Sequence, residues 1–236
     1  MQMTNNRTKA RPEGLAERIY LQLKDDIFNF HLLPGDRFSE NEIAQRMDVS
    51  RTPVRQALFW LEREGYVEVH FRSGWQVRPF DFNYFEELYD LRVVLEREAV
   101  KRLCARPPGK VPAILAELES FWIAAPRLED GKAVALEDEQ FHMALVVAAG
   151  NGEIARIHRD VTEKICIIRR LDFTKTARVD ATYNEHAAIL RAILQCHSEE
   201  ALRLLSQHIA VSKAEVRKIT LHMLHQARLE QEGRAV

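Results

Sequence analysis

Proline is tolerated inside a helix only in the first turn, where its missing N–H has no intrahelical partner to lose, so Pro53 fixes where a helix can begin. Ser50, three residues earlier, is a natural N-cap. Val54, Ala57, Leu58 and Leu61 then recur at the spacing of one helical face, and Gly65 stops the run. The pattern predicts a helix through about residue 64, with Arg51, Thr52, Arg55 and Gln56 outward near its N-terminal end.

The flanking sequence says what this helix belongs to. A first helix over 15–30 carries Ile19, Leu23, Ile27 and Phe30 on one stripe, and Leu33-Pro34-Gly35-Asp36 ends it. Ser39 followed by Glu42 is a capping-box pattern for a short second helix that turns Ile43, Ala44 and Met47 inward. Asp48-Val49 is the turn into the third helix. Two β-like runs follow it, 66–70 and 75–78, joined through Phe71-Arg72-Ser73-Gly74 as a hairpin. Helix, turn, helix and hairpin in this order predict a winged helix-turn-helix domain over 15–79, preceded by a flexible polar arm over 1–14.

Beyond a short linker around 79–83, helical periodicity resumes. Helices are expected over 84–104, 111–125, 133–149, 153–171, 178–195 and 198–228, with a frayed tail over 229–236. The fold class is mainly α, an all-α bundle over 80–228 behind the winged domain. No run of about 18 apolar residues is long enough for a membrane span, and the N-terminus lacks the apolar core of a secretory signal. Cys104, Cys166 and Cys196 form no C-x-x-C pair and read as buried thiols of a cytoplasmic protein.

The chain has 34 basic and 35 acidic residues, so net charge gives no argument for nucleic acid. Residues 1–80 hold 12 basic against 11 acidic, which leaves local placement to decide. Arg51 and Arg55, four apart, suit guanine edges or phosphates; Ser50 and Thr52 at the helix start suit phosphate oxygens. Arg72 and Gly74 at the hairpin are placed to reach a flanking groove. An isolated arginine pair is more often merely solvated, but the ordered set of cap, turn, helix and wing favours DNA.

In the bundle, Asp138 and His142 stand one helical turn apart on one face. His186 faces inward with Ile189, Leu190 and Ile193, and His208 does so with Leu204 and Leu205. A lone inward histidine is more often a hydrogen-bonded core residue than a ligand. Four such groups from three helices can nevertheless deliver one oxygen and three nitrogens to one centre. The remaining histidines, including His158, read as surface or packing residues.

The segments Leu33–Ala44, Val49–Leu58 and Leu61–Val67 resemble the GntR family of bacterial regulators. Asp138-Glu139-Gln140-Phe141-His142, Ala149-Gly150-Asn151, Glu185–Leu190 and His208-Ile209 are similar, in order, to landmarks of the FCD effector domain of its FadR branch. The resemblance implies operator contacts from Ser50, Arg51, Thr52, Arg55 and the wing near Gly74. Several members carry arginine where this chain has Asn41. It further implies Asp138, His142, His186 and His208 as ligands of a divalent metal, with zinc foremost and nickel or another transition metal as alternatives. A small carboxylate effector on that metal, clamped by Arg92, Arg169 or Arg170, would regulate a homodimer on two-fold operator DNA, as a repressor relieved by the effector. For Arg92 an i,i+4 salt bridge to Glu96 is an equally good reading. The competing functions are a metal-dependent hydrolase or lyase with a DNA-binding appendage, using Glu139 or Glu185 as base, and a DNA packer without effector.

Overall fold

A computed structural model describes residues 14–70, 74–107, 110–173 and 176–218. The arm over 1–13, the tail beyond 218 and Arg72 therefore lie outside the described residues. The chain divides between Phe80 and Asp81 into two compact units.

In the first unit, α1 (Leu15–Phe28) packs on α3 (Arg51–Glu64), with α2 (Glu40–Arg46) between them in sequence. The core holds Ile19, Leu23 and Ile27 of α1 against Val54, Leu58 and Leu61 of α3. Tyr20 and Lys24 both reach the Glu64 carboxylate, tying the two helices at the far end. α1 stops two residues before the expected end, and Phe30 takes a left-handed backbone (φ 63°) while its ring stays buried.

Ser39 makes the complete capping box: its Oγ accepts from the Glu42 amide at 3.2 Å, and its own amide donates to Glu42 Oε2 at 2.6 Å. Ser39→Ala should lower the unfolding free energy of this unit by about 0.5–2 kcal/mol, the range for lost N-caps, measured by chemical denaturation. Ser50 differs. It occupies the N-cap position of α3, but its side chain makes no capping bond. Gly65 closes α3 with a left-handed φ of 86°.

The hairpin strands are β2 (Val67–His70) and β3 (Gly74–Val77). A third strand, β1 (Arg37–Phe38), pairs antiparallel with β3, so the sheet order is β1-β3-β2. The sequence reading had no strand there, because two residues carry no periodicity. β1 also explains Gly74. Its φ is +86°, and a Cβ there would stand 2.6 Å from the Phe38 carbonyl oxygen, so the hairpin can lie against β1 only with glycine at this position.

In the second unit, α4 (Phe82–Cys104) starts two residues earlier than expected, because Asp81 caps it by accepting from the Tyr84 amide at 3.1 Å. α5 (Ala113–Glu119) runs into a π-helical turn, Ser120–Ala124, in place of one straight helix over 111–125. α6 (Gly131–Ala148), α7 (Gly152–Asp172), α8 (Thr176–Leu194) and α9 (Ser198–Glu215) complete the bundle, with a 3-10 turn over Val216–Lys218. At the α6–α7 turn Gly150 adopts φ 75° and Asn151 caps α7 by accepting from the Glu153 and Ile154 amides. Ala99, Val146 and Ala155 let α4, α6 and α7 pack closely beside that turn. Of the three cysteines only Cys166 is buried. Cys104 is half-buried and Cys196 exposed, because they lie at the C-terminus of α4 and in the α8–α9 turn. None of the described helices is long and apolar enough to cross a membrane.

Candidate functional site

On the first unit, Ser50, Arg51, Thr52, Arg55 and Gln56 are all exposed along the start of α3, while Val54 and Ala57 on its other face are buried. The two arginines are not loose. Glu40, the first residue of α2, accepts from Arg55 Nε at 2.9 Å and Nη2 at 2.8 Å, and from Arg51 Nη2 at 3.0 Å. Sequence reading missed Glu40, whose only local sign is its place one residue after a cap. Its partners are 11 and 15 residues away. The hydrogen bonds from Arg55, followed by those from Arg51, hold the Glu40 carboxyl down to about 2. A carboxyl lowered in the fold gives its stabilisation above its ordinary range and loses it only as pH falls toward 2. The clamp is therefore expected to hold unchanged between about pH 5 and 9, checked by a flat Arg55 Nε chemical shift across that range.

On the second unit, Asp138 and His142 from α6, His186 from α8 and His208 from α9 converge, all buried. One ligand atom from each lies within 4.8 Å of the others. His142 Nε2 stands 3.0 Å from His208 Nε2, and Asp138 Oδ1 is 3.1, 3.6 and 3.9 Å from the Nε2 atoms of His186, His142 and His208. Two atoms each about 2.0–2.1 Å from one ion are at most about 4.2 Å apart, a limit that these four distances meet.

The surrounding acids fix which nitrogen faces the centre. Glu96 on α4 takes His142 Nδ1 at 2.6 Å, and Glu185 on α8 takes His208 Nδ1 at 2.6 Å. An ionised carboxylate can only accept, which puts the proton on each Nδ1 and leaves each Nε2 lone pair inward. Burial raises the Glu96 carboxyl, but Arg92 and His142 outweigh it and hold the group well below its ordinary range. His186 is oriented differently. Its ring stacks on Phe141 with centroids 3.8 Å apart and meets the edge of Trp122 from the π-helical turn, and neither ring nitrogen has a hydrogen-bond partner in the protein.

Burial is the main force lowering all three histidines, His142 to about 4 and the other two well below their usual value. Protonating the cluster is thus disfavoured. Two imidazole lone pairs aimed by carboxylates converge with the unpartnered His186 ring and an Asp138 oxygen, an arrangement that a divalent cation satisfies.

Of the three arginines expected near an effector, Arg92 is fully buried and donates through Nε to Glu96 Oε1 at 2.6 Å, the i,i+4 pair anticipated from sequence. Arg169 is buried with a guanidinium nitrogen against Asp138 Oδ2, and Arg170 is half-buried near Glu139. Arg178 was missed. It donates to Glu185 at 2.9 Å and stands beside His208. Its sign in the sequence is the shared helix face with Thr182, Glu185 and His186. His158, a surface or packing residue by sequence, is fully buried, and what the sequence did not supply is its partner: Nε2 lies 3.0 Å from Glu96 Oε1, on the α7 stripe that leads to Arg169. Glu185, a conceivable base in the enzyme alternative, is held by both His208 and Arg178.

The FCD domain family matches residues 87–211, and the gntR family of bacterial regulatory proteins matches residues 15–77. The Nta operon transcriptional regulator of Aminobacter aminovorans is 30% identical over 189 residues, 75% of this chain and 90% of that protein. The HTH-type transcriptional regulator YdhC of Bacillus subtilis is 27% identical over 199 residues, 84% of this chain and 89% of that one. A GntR-type regulator from Rhodococcus sp. RHA1 shares the fold, with a TM-score of 0.70 at 24% identity over 87% of this chain and 98% of that chain. These families and relatives are DNA-binding regulators, which sets aside the hydrolase or lyase alternative. The chain belongs to the GntR family of bacterial regulatory proteins and is a transcriptional regulator that carries an FCD domain behind its DNA-binding helix-turn-helix.

Proposed function

We propose that this regulator senses a small organic acid through a divalent metal held by Asp138, His142, His186 and His208, and that the bound acid releases operator DNA. The observation that carries this reading is the pair of Nε2 atoms 3.0 Å apart, each turned inward by a carboxylate on its other nitrogen. Zinc fits the donor set best, with nickel as the alternative, since three imidazoles and one carboxylate suit borderline ions. Arg92, Arg169 and Arg178 give the acid cationic neighbours.

At the DNA, Arg51 and Arg55 address base edges or phosphates, with Ser50 and Thr52 on the backbone. The absence of a capping bond on Ser50 keeps its hydroxyl available for a phosphate. Arg72 and Gly74 extend the contact from the wing. A homodimer presents two such helices to a two-fold operator. The acid must bind one conformation of the dimer better than another, since equal affinity would shift nothing.

The test is operator binding by zinc-loaded and metal-stripped protein across a panel of small carboxylates. Release that requires both metal and acid is the expected result. Glu96→Gln should weaken zinc about 10–100-fold, as loss of a ligand's outer partner does, with the fold intact by circular dichroism. Acid-induced release by metal-free protein would refute the reading.

A further inference from the structure

The arginines around the four-residue cluster can be counted against the acids that face them. Arg92 pairs with Glu96, Arg169 with Asp138 and Arg178 with Glu185. One residue beyond Asp138, the mostly buried Glu139 has Arg170 as its strongest charged neighbour. Glu163 also faces Glu139, but it is exposed on α7 and screened by solvent. Four cations thus stand against four anions. Imidazoles that bind a metal are neutral, so the protein side of the site carries no formal net charge, and burial, which raises Glu139 and lowers Arg169, opposes any uncompensated charge there. A divalent ion adds two positive charges where water is largely excluded, and a buried excess of that size calls for a compensating anion.

Unmet donors indicate where such an anion reaches. Arg92 uses Nε on Glu96, and its Nη2 has no hydrogen-bond partner in the protein. Arg169 turns one nitrogen to Asp138, and its Nη1 has none. The two residues are 0% and 3% exposed. A buried guanidinium N–H left unbonded is costly, and the planar fork matches a carboxylate. Arg92 and Arg169 both adjoin the ligand set, Arg92 through Glu96, which holds His142, and Arg169 through Asp138, and the two act on each other as like charges.

We propose that the effector is a small dicarboxylate: one carboxylate completes the coordination of the ion, and the other is clamped by Arg92 and Arg169. The inference rests on the metal-anchored reading above and specifies the charge of the acid. A monocarboxylate of the same length would cancel half the excess and leave the two arginines unmet.

The test titrates zinc-loaded, full-length protein by calorimetry with malonate and succinate, and with the chain-matched propionate and butyrate, while mass spectrometry follows the zinc content. At least one dicarboxylate should bind about tenfold or more tightly than its monocarboxylate, the scale of one charge-assisted contact. Arg169→Lys keeps a cation beside Asp138 and removes the second nitrogen. It should retain about one zinc per chain, lose about tenfold in dicarboxylate affinity and change monocarboxylate affinity less than about threefold. Arg92→Lys supplies the same comparison if Arg169→Lys loses its zinc. Bound zinc with equal affinity for the two classes, or with no dicarboxylate binding, overturns this inference and leaves the metal site standing. A chain that takes up no zinc, or binds acids equally well without it, overturns the metal-anchored reading and the dicarboxylate assignment with it.

Discussion

Replacing His142 and His208 together by alanine should lower divalent-metal affinity by more than about 100-fold, since loss of outer partners alone costs 10–100-fold and here two of four donors disappear. These two nitrogens form the 3.0 Å pair at the centre, and Glu96 and Glu185 are committed to aiming them. The consequence reaches stability. At a free metal concentration 100 times Kd, binding adds about 2.7 kcal/mol, roughly 5–11 °C in Tm for a chain of this size. The double variant should show the same Tm with and without zinc, while the native chain gains that increment. Glu96 and Glu185 also lose their histidine partners, so the variant's metal-free Tm should fall as well. Calorimetric zinc titration and paired thermal melts check both, and a variant that still takes up zinc at native affinity would sink the assignment of these ligands.

Arg55→Ala should weaken binding to an operator selected from random DNA by about 1–3 kcal/mol, roughly 5–150-fold, and relax discrimination at the base it meets. Arg51→Ala should cost less. Arg55 is gripped by Glu40 through two parallel bonds and Arg51 through one, so Arg55 is the more firmly preorganised. Glu40→Gln separates placement from charge. It removes a negative charge next to DNA, so affinity for random DNA should rise at low salt, while the ratio of operator to random affinity should fall as the arginines lose their brace. Fluorescence anisotropy at several salt concentrations reads all three variants. Operator affinity of Arg55→Ala within twofold of native would remove α3 from the reading surface.

Much of the first unit was legible because its signals are local. Pro53 and Gly65 bound α3, Ser39 and Glu42 sit within hydrogen-bond reach by helix geometry alone, and the apolar stripe of Val54 to Leu61 sets the buried face. In the second unit periodicity placed Asp138, His142, His186 and His208 inward, and their faces survived into the structure. What a one-dimensional pattern could not supply was distance between helices. A histidine on a buried face looks the same whether it meets leucine or a carboxylate from another helix, which is why the tie of His158 to Glu96 and the place of Arg178 are invisible in the sequence.

The sequence by itself determined the helices, their caps and the faces they bury, because helix geometry converts spacing into direction within a few residues. Only the tertiary structure decided which faces meet. It joined Glu40 to Arg55 across 15 positions, laid β1 against Gly74, and set Glu96 against His142 across 46. Those pairings arise from long-range packing, where no spacing along the chain encodes the partner, and they turn four inward residues into an oriented set of lone pairs.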